Sequence, residues 1–149
     1  MTPDELKAIV GERVFRSFWP DSLVNFDAED RHNLAHLGKT EKDEDVEISK
    51  RAAESDLLVY VNVNLVAMDG GWKSTAIGLA SYNSLRHHHN SHTMVHSRSF
   101  MDRHNSQLHS SAWRMGQIVN AHVKVFQIET TLNNDAFPSQ YGFLTKREW

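Results

Sequence analysis

Cysteine is absent from the 149-residue chain. Its absence excludes disulfides, thiolate zinc sites and iron-sulfur clusters, and it leaves the ten histidines as the strong nitrogen donors for a metal. The sequence also lacks an excess of charge of one sign, since 16 basic and 19 acidic side chains give a net charge of -3. Nucleic acid is therefore not an expected partner.

Long apolar runs are missing as well. No stretch approaches the roughly 20 apolar residues that a membrane-spanning helix needs. Residues 1–10 are polar and acidic, whereas a signal peptide begins with a basic and then an apolar segment. We therefore expect no membrane partner and a cytoplasmic location. The length predicts a single domain over residues 1–149 with a sizeable core.

The sequence alternates between helix and strand patterns. A capping box at residues 2–5 predicts a first helix that ends near residue 11. Residues 57–66 are nearly all β-branched or aliphatic apart from Asn62 and Asn64, which predicts a central, parallel strand that is buried on both faces. Apolar residues at helical spacing predict a helix over residues 106–122, followed by a strand over residues 123–131. This order predicts a right-handed crossover, so we expect an α/β fold with a small, mostly parallel, Rossmann-like sheet flanked by helices.

The segments before the aliphatic strand give weaker patterns. Residues 23–26 are compatible with a short strand, and the polar residues 27–45 predict a solvated loop or hairpin turn. Val46 and Ile48 alternate with polar residues, which predicts a short strand. We expect one or two helical turns after that strand.

A lysine motif follows the aliphatic strand directly. The motif reads Gly70-Gly71-Trp72-Lys73-Ser74. Two glycines let backbone approach a bound group closely, and a lysine amine can carry a covalent cofactor. The motif is not a P-loop, because that loop needs glycine directly before the lysine and another glycine five residues earlier. In a parallel sheet, a ligand binds at the carboxyl ends of strands, where this motif falls.

A histidine-rich segment comes next, and its pattern leaves three interpretations open. His87, His88 and His89 are consecutive, and imidazole is a good ligand for nickel, copper or zinc. His88, His92 and His96 would align on one face of a helix and hold zinc, although the polar residues between them are poor helix formers. The cluster would then make a non-catalytic metal-binding or scaffold module. Alternatively, these histidines are solvated.

Three side chains on the predicted long helix or beside it have simple structural interpretations. We expect His109 and His122 to be structural residues and Trp113 to lie in the core.

Short motifs are spread over most of the chain. They are residues 56–66, Gly70-Gly71-x-Lys73-Ser74, Gly78-Leu79, Ser84-Leu85-x-x-x-His89-Asn90, residues 105–109, residues 125–133 and Leu37-Gly38-x-Thr40. Together these motifs resemble the lactate racemase family of nickel-pincer-nucleotide enzymes, and the most specific of them is the interval of sixteen residues between Lys73 and His89. The resemblance covers most of the chain and places it within the N-terminal domain of a larger racemase.

The resemblance implies a cofactor and a reaction. A nickel-pincer nucleotide would be attached to Lys73, which would make Lys73 the catalytic anchor, and His89 would be the nickel ligand. Gly70, Gly71 and Ser74 would shape the approach to the nucleotide. The reaction implied is racemisation or epimerisation of a small 2-hydroxy acid by hydride abstraction and return.

The sequence also departs from the family pattern. Residues 65–69 contain no histidine where the family has an acid/base histidine, and family members are much longer. We therefore expect a central fragment or a divergent truncated member that does not racemise its substrate alone. Its partners would be the other domains of the parent chain or a second copy.

Overall fold

The computed structural model describes residues 1–66 and 68–131. Within these ranges the chain forms six α-helices, namely α1 Pro3–Val10, α2 Glu12–Phe18, α3 Lys50–Ala53, α4 Tyr82–His88, α5 Ser91–Val95 and α6 Gln107–His122. Four strands accompany them, namely β1 Leu34–Lys39, β2 Asp45–Ser49, β3 Leu58–Asn64 and β4 Val125–Thr131. A short 3-10 turn covers Arg31–Asn33, and a π-helical turn covers Lys73–Ile77. Within the described ranges, no helix is both long enough and apolar enough to cross a membrane.

The first helix begins and ends as its capping pattern predicts. The hydroxyl of Thr2 accepts a hydrogen bond from the backbone N–H of Glu5 at 3.3 Å. The carboxylate of Glu5 in turn accepts one from the backbone N–H of Thr2 at 2.7 Å. These reciprocal bonds satisfy two N–H groups that have no partner within the helix. The long helix is also confirmed, with Ser106 as its N-cap.

The strands form two separate two-stranded sheets. β3 and β4 pair in parallel, with Leu58 opposite Val125 and Asn64 opposite Thr131, which confirms the predicted parallel pairing of these two strands. β1 and β2 pair antiparallel. A mostly parallel, Rossmann-like sheet is therefore not confirmed among the described residues, because one of the two sheets is antiparallel.

The antiparallel sheet comes from a segment whose sequence predicts a loop. β1 lies within residues 27–45, and its register with β2 shifts between His36 and Gly38. The shift interrupts the two-residue alternation by which a strand is recognised in sequence. A hydrogen bond of 3.0 Å from the backbone N–H of Thr40 to the carbonyl of Glu44 closes the connection to β2. Residues 23–26, in contrast, form no strand.

The core lies between β2, the π-helical turn and α6. Its fully buried side chains include Val46, Ile48, Ala76, Met115 and Val119. β3 contributes only part of this core, because its alternate residues face outward. The prediction of a strand buried on both faces is therefore wrong. Alternate apolar side chains of β3 and β4 are exposed, namely Val59, Val61, Val63, Phe126 and Ile128.

A buried ion pair joins the β1–β2 connection to α6. Arg114 donates from Nε to Oε2 of Glu44 at 2.8 Å and from Nη2 to Oε1 at 2.5 Å. The hydroxyl of Thr40 donates to Oε2 of the same carboxylate at 2.6 Å. Burial alone would raise the pKa of Glu44, but these hydrogen bonds outweigh it and leave the pKa below its ordinary value. The pair fixes one wall of the cleft described next.

Candidate functional site

The loop between β3 and the π-helical turn contains two glycines in left-handed conformations. Gly70 has φ +83 and Gly71 has φ +55, a region that other residues rarely adopt. A Cβ added to Gly70 would lie 2.6 Å from Oε2 of Glu129 and 2.8 Å from Nδ2 of Asn64. Gly70 is thus required by both its conformation and its close contacts.

Polar side chains of β3 and β4 fix this loop. Glu129 accepts a hydrogen bond from the backbone N–H of Gly71 through Oε1 and one from Nδ2 of Asn64 through Oε2, the latter at 3.1 Å. Gln127 donates to the carbonyl of Gly71 at 3.0 Å. Asn62 donates to Oδ1 of Asn64 at 2.7 Å. These contacts account for the two polar residues Asn62 and Asn64 in a mostly aliphatic strand, because both asparagines support the loop that precedes Lys73.

Lys73 is the first residue of the π-helical turn and lies against an acid. Its Nζ is 2.7 Å from Oδ1 of Asp69, and 31% of its side chain is exposed. The other oxygen of Asp69 accepts hydrogen bonds from the backbone N–H groups of Leu65 and Val66. The hydrogen bond from Lys73, together with these two, holds the pKa of Asp69 below its ordinary value. Ser74 is buried directly behind Lys73.

A cleft of about 680 Å³ opens in front of this lysine. One wall is the loop with Gly70, Gly71 and Lys73, and the opposite wall is α6 with the turn that precedes it. Trp113 lines the cleft and is 56% exposed, so its prediction as a core residue is wrong. Its helical spacing resembles that of the core positions, but its side chain falls on the cleft side of α6. His109 also lines the cleft.

His88 is the buried histidine of the site. It is 2% exposed, and its Nδ1 atom has no hydrogen-bond partner among the described residues. Burial, reinforced by the neighbouring His89, lowers the pKa of His88 to about 4. A small cavity of about 10 Å³ lies between His88, Lys73 and His109, which is roughly the space of one water molecule. His88 is therefore a neutral imidazole with an unused nitrogen beside Lys73.

His89 lies at the end of α4 and is exposed. The centroid of its ring is 4.7 Å from that of His88, with the two planes at 57°. The sixteen-residue interval thus ends on a histidine that contacts the buried one. Of this pair, His88 lines the small cavity beside Lys73.

The alternative zinc site needs one continuous helix, and the chain forms two. α4 ends at His88, and Asn90 caps α5 by accepting from the backbone N–H of Thr93 at 3.0 Å. The rings of His92 and His96 lie 4.1 Å apart, but His88 belongs to the preceding helix. His88, His92 and His96 are therefore not aligned on one helical face. Across residues 1–66 and 68–131, no group of three or more metal-ligating side chains is arranged to hold an ion.

His87 points to a different partner from its neighbours. Its Nε2 lies 3.2 Å from Oδ2 of Asp45, whose other oxygen lies 3.2 Å from Nε2 of His36. Burial would raise the pKa of Asp45, but the hydrogen bonds from both histidines outweigh it and lower the pKa. His87 is thus occupied away from the cleft.

The fold and the cleft define an α/β domain in which a glycine loop presents a lysine beside a buried imidazole. A family model described as the lactate racemase N-terminal domain matches residues 1–102. The chain belongs to this family, which confirms the resemblance of its motifs.

A solved structure, the lactate racemase apoprotein from Thermoanaerobacterium thermosaccharolyticum, has the same fold. It superimposes with a TM-score of 0.74 over 89% of this chain, at 24% sequence identity. The chain spans 32% of the length of that racemase. No curated protein sequence matches the chain.

Proposed function

We propose that this chain forms the cofactor-bearing part of a nickel-pincer-nucleotide-dependent racemase or epimerase of 2-hydroxy acids. Lys73 is the attachment point, and Gly70, Gly71 and Ser74 shape the approach to the nucleotide. His89 is the proposed nickel ligand, with His88 as the alternative. One observation carries the proposal: Lys73 follows the glycine loop, lines the cleft and shares a small cavity with His88, whose Nδ1 atom has no partner among the described residues.

The residues present fit the proposed cofactor. A lysine that anchors a covalent group must reach an open space, and Lys73 lines a cleft of about 680 Å³. A metal ligand must be a neutral imidazole with a free nitrogen, and His88 has both properties in this position. The bound cofactor would supply a nickel–carbon centre that takes up and returns a hydride.

The structure and the sequence interval favour different members of the histidine pair as the ligand. The interval from Lys73 favours His89, whose exposed ring contacts His88. Burial favours His88, because a buried nitrogen without a partner costs free energy that a metal bond would recover. Nickel content in variants of each histidine separates the two assignments.

The protein residues around the lysine have positioning roles in this proposal. Asp69 holds the Lys73 amine in place before attachment, through the ion pair at 2.7 Å. Glu129 accepts the backbone N–H of Gly71, and Gln127 donates to the carbonyl of Gly71. These two bonds order the loop in advance, which lowers the ordering cost when the nucleotide binds. We also propose that the substrate is a 2-hydroxy acid and that further domains of the parent chain or a second copy of this chain take part.

Nickel content measured after production with the pincer nucleotide tests this function. We expect about one nickel per chain in the wild type and in Lys124→Ala, because Lys124 is an exposed lysine outside the cleft. Lys73→Ala should contain none, since the cofactor loses its anchor. Equal nickel in Lys73→Ala and the wild type would contradict the proposal, and it would favour a histidine-only metal module.

A further inference from the structure

The charges that line the cleft are almost all matched by partners. Lys73 is paired with Asp69, and Arg114 is paired with Glu44 and lies 3.8 Å from a carboxylate oxygen of Glu41. Glu129 is bound by the N–H of Gly71 and by an asparagine. Each of these side chains therefore has a partner among the described residues.

Arg103 is different, because no carboxylate among the described residues lies within ion-pair distance of it. It is exposed and lines the same cleft as Lys73. An unpaired guanidinium in a concave site favours an anion, and its planar donors match a carboxylate at two points.

The turn that carries Arg103 is held by its neighbours. Asp102 accepts hydrogen bonds from the backbone N–H of His104 at 3.0 Å and from the side-chain amide of Asn105 at 2.5 Å. The carbonyl of Asn105 accepts a hydrogen bond from the backbone N–H of Arg98 at 3.0 Å. The backbone on both sides of Arg103 is thus fixed at the edge of the cleft, which lowers the ordering cost of binding a ligand there.

His109 supplies a second feature of the site. Its Nε2 lies 3.1 Å from the carbonyl oxygen of Phe100. A carbonyl only accepts, so this contact places the proton of the neutral ring on Nε2 and leaves Nδ1 with a free lone pair. His109 lines both the cleft and the small cavity shared with Lys73 and His88. The unpartnered Nδ1 of His88 marks that cavity as a place for a polar group.

We infer that Arg103 and His109 make this cleft a binding site for a small 2-hydroxy carboxylate, in which Arg103 binds the carboxylate and Nδ1 of His109 accepts a hydrogen bond from the hydroxyl. The inference rests on the proposed function, because it gives the substrate of that function two recognition residues within this chain. His109 would also give the site a histidine, which residues 65–69 do not supply. The sequence pattern indicates neither role, and it predicts His109 to be a structural residue.

NMR titration of the unloaded chain tests this inference, with L-lactate, propionate and inorganic phosphate as probes. Propionate lacks the hydroxyl, so we expect lactate to bind several-fold more tightly, with a Kd on the order of 1 mM. Arg103→Ala should weaken both carboxylates roughly tenfold. Arg98→Ala is the matched control, because it removes an exposed arginine from the neighbouring segment, and it should bind like the wild type.

The hydroxyl contact is tested separately. His109→Ala should reduce the affinity for lactate to that for propionate, and His109→Asn should recover part of the difference, because its amide oxygen can replace Nδ1 as an acceptor. Three results would overturn the inference. Lactate does not bind at concentrations on the order of tens of millimolar, phosphate is the only probe that binds, or Arg103→Ala binds lactate as tightly as the wild type does. Because the unloaded chain is used, these outcomes are independent of whether Lys73 carries a nucleotide.

Discussion

The Nζ atom of Lys73 lies 2.7 Å from Oδ1 of Asp69, four residues earlier in the chain. The same carboxylate accepts the backbone N–H groups of Leu65 and Val66, so it ties the lysine to the end of the β3 segment. The lysine amine is thereby oriented by the loop that presents it. The ion pair therefore restrains the amine that is proposed to carry the cofactor.

Asp69→Asn should increase the reactivity of Lys73 toward an amine-acylating reagent several-fold. The ion pair holds the Nζ atom of Lys73 against Asp69 and away from the reagent, and asparagine removes the charge that strengthens this contact while retaining a hydrogen-bond acceptor. Competitive labelling followed by mass spectrometry of the Lys73 peptide measures the change. Lys124 serves as the internal reference, and an unchanged ratio of Lys73 to Lys124 labelling would contradict the assigned ion pair.

His88 should make the stability of the metal-free chain depend on pH. Its pKa is about 4 in the folded state and 6.5 in the unfolded state. Between these values the unfolded chain binds the additional proton, so the free energy of unfolding rises with pH, by about 3 kcal/mol in total. Urea unfolding from pH 4 to pH 7 measures the rise. In His88→Leu this component should disappear, and an identical pH profile in the two proteins would contradict the burial of a neutral His88.

Arg114→Met should destabilise the chain by about 3 kcal/mol, because it leaves the carboxylate of Glu44 buried without its charged partner. Glu44→Gln in the same background should recover much of the loss, which a double-mutant cycle of urea unfolding measures. Additive effects of the two substitutions would contradict the ion pair between Arg114 and Glu44.

The lowered pKa of Glu44 makes the stability that this residue contributes depend on pH. This contribution is fully present above the pKa of Glu44 in the unfolded chain, about 4.3, and it is lost as the pH falls through the pKa in the folded chain.

Gly70→Ala should displace the loop between β3 and the π-helical turn and reduce nickel loading at least several-fold. The positive φ of Gly70 disfavours alanine, and the new Cβ would contact Oε2 of Glu129 at 2.6 Å. Gly38→Ala is the matched control, since Gly38 also has a positive φ but no atom lies within 4 Å of its added Cβ. Circular dichroism confirms that each variant folds. Normal loading in Gly70→Ala would show that the close contact with Glu129 does not constrain the loop.

The sequence predicts the elements with strong local patterns. The capping box of α1, the long helix α6 and the parallel pair of β3 and β4 all follow from capping or periodicity. β1 does not, because its register shift disrupts the alternation that identifies a strand. The exposure of alternate β3 residues depends on which elements pack on that face of the sheet, which local sequence does not specify.

The site divides in the same way. Lys73 and the glycines are recognisable from their motif, and His89 from its interval to Lys73. Asp69, Glu129 and His109 are not, because their roles arise from tertiary contacts with the loop or the cleft. A polar residue such as Glu129 within a strand pattern is the available signal, and it does not reveal which loop the residue contacts.

Peptide mapping of the chain produced with the pincer nucleotide tests the central claim most directly. Proteolysis and tandem mass spectrometry locate any covalent adduct on a single side chain. The account predicts a nucleotide-sized adduct on Lys73, its absence from Lys73→Arg and its retention in Lys124→Arg. An unmodified Lys73 in a preparation that nevertheless binds nickel, or an adduct on another lysine, would contradict the assignment of Lys73 as the cofactor anchor.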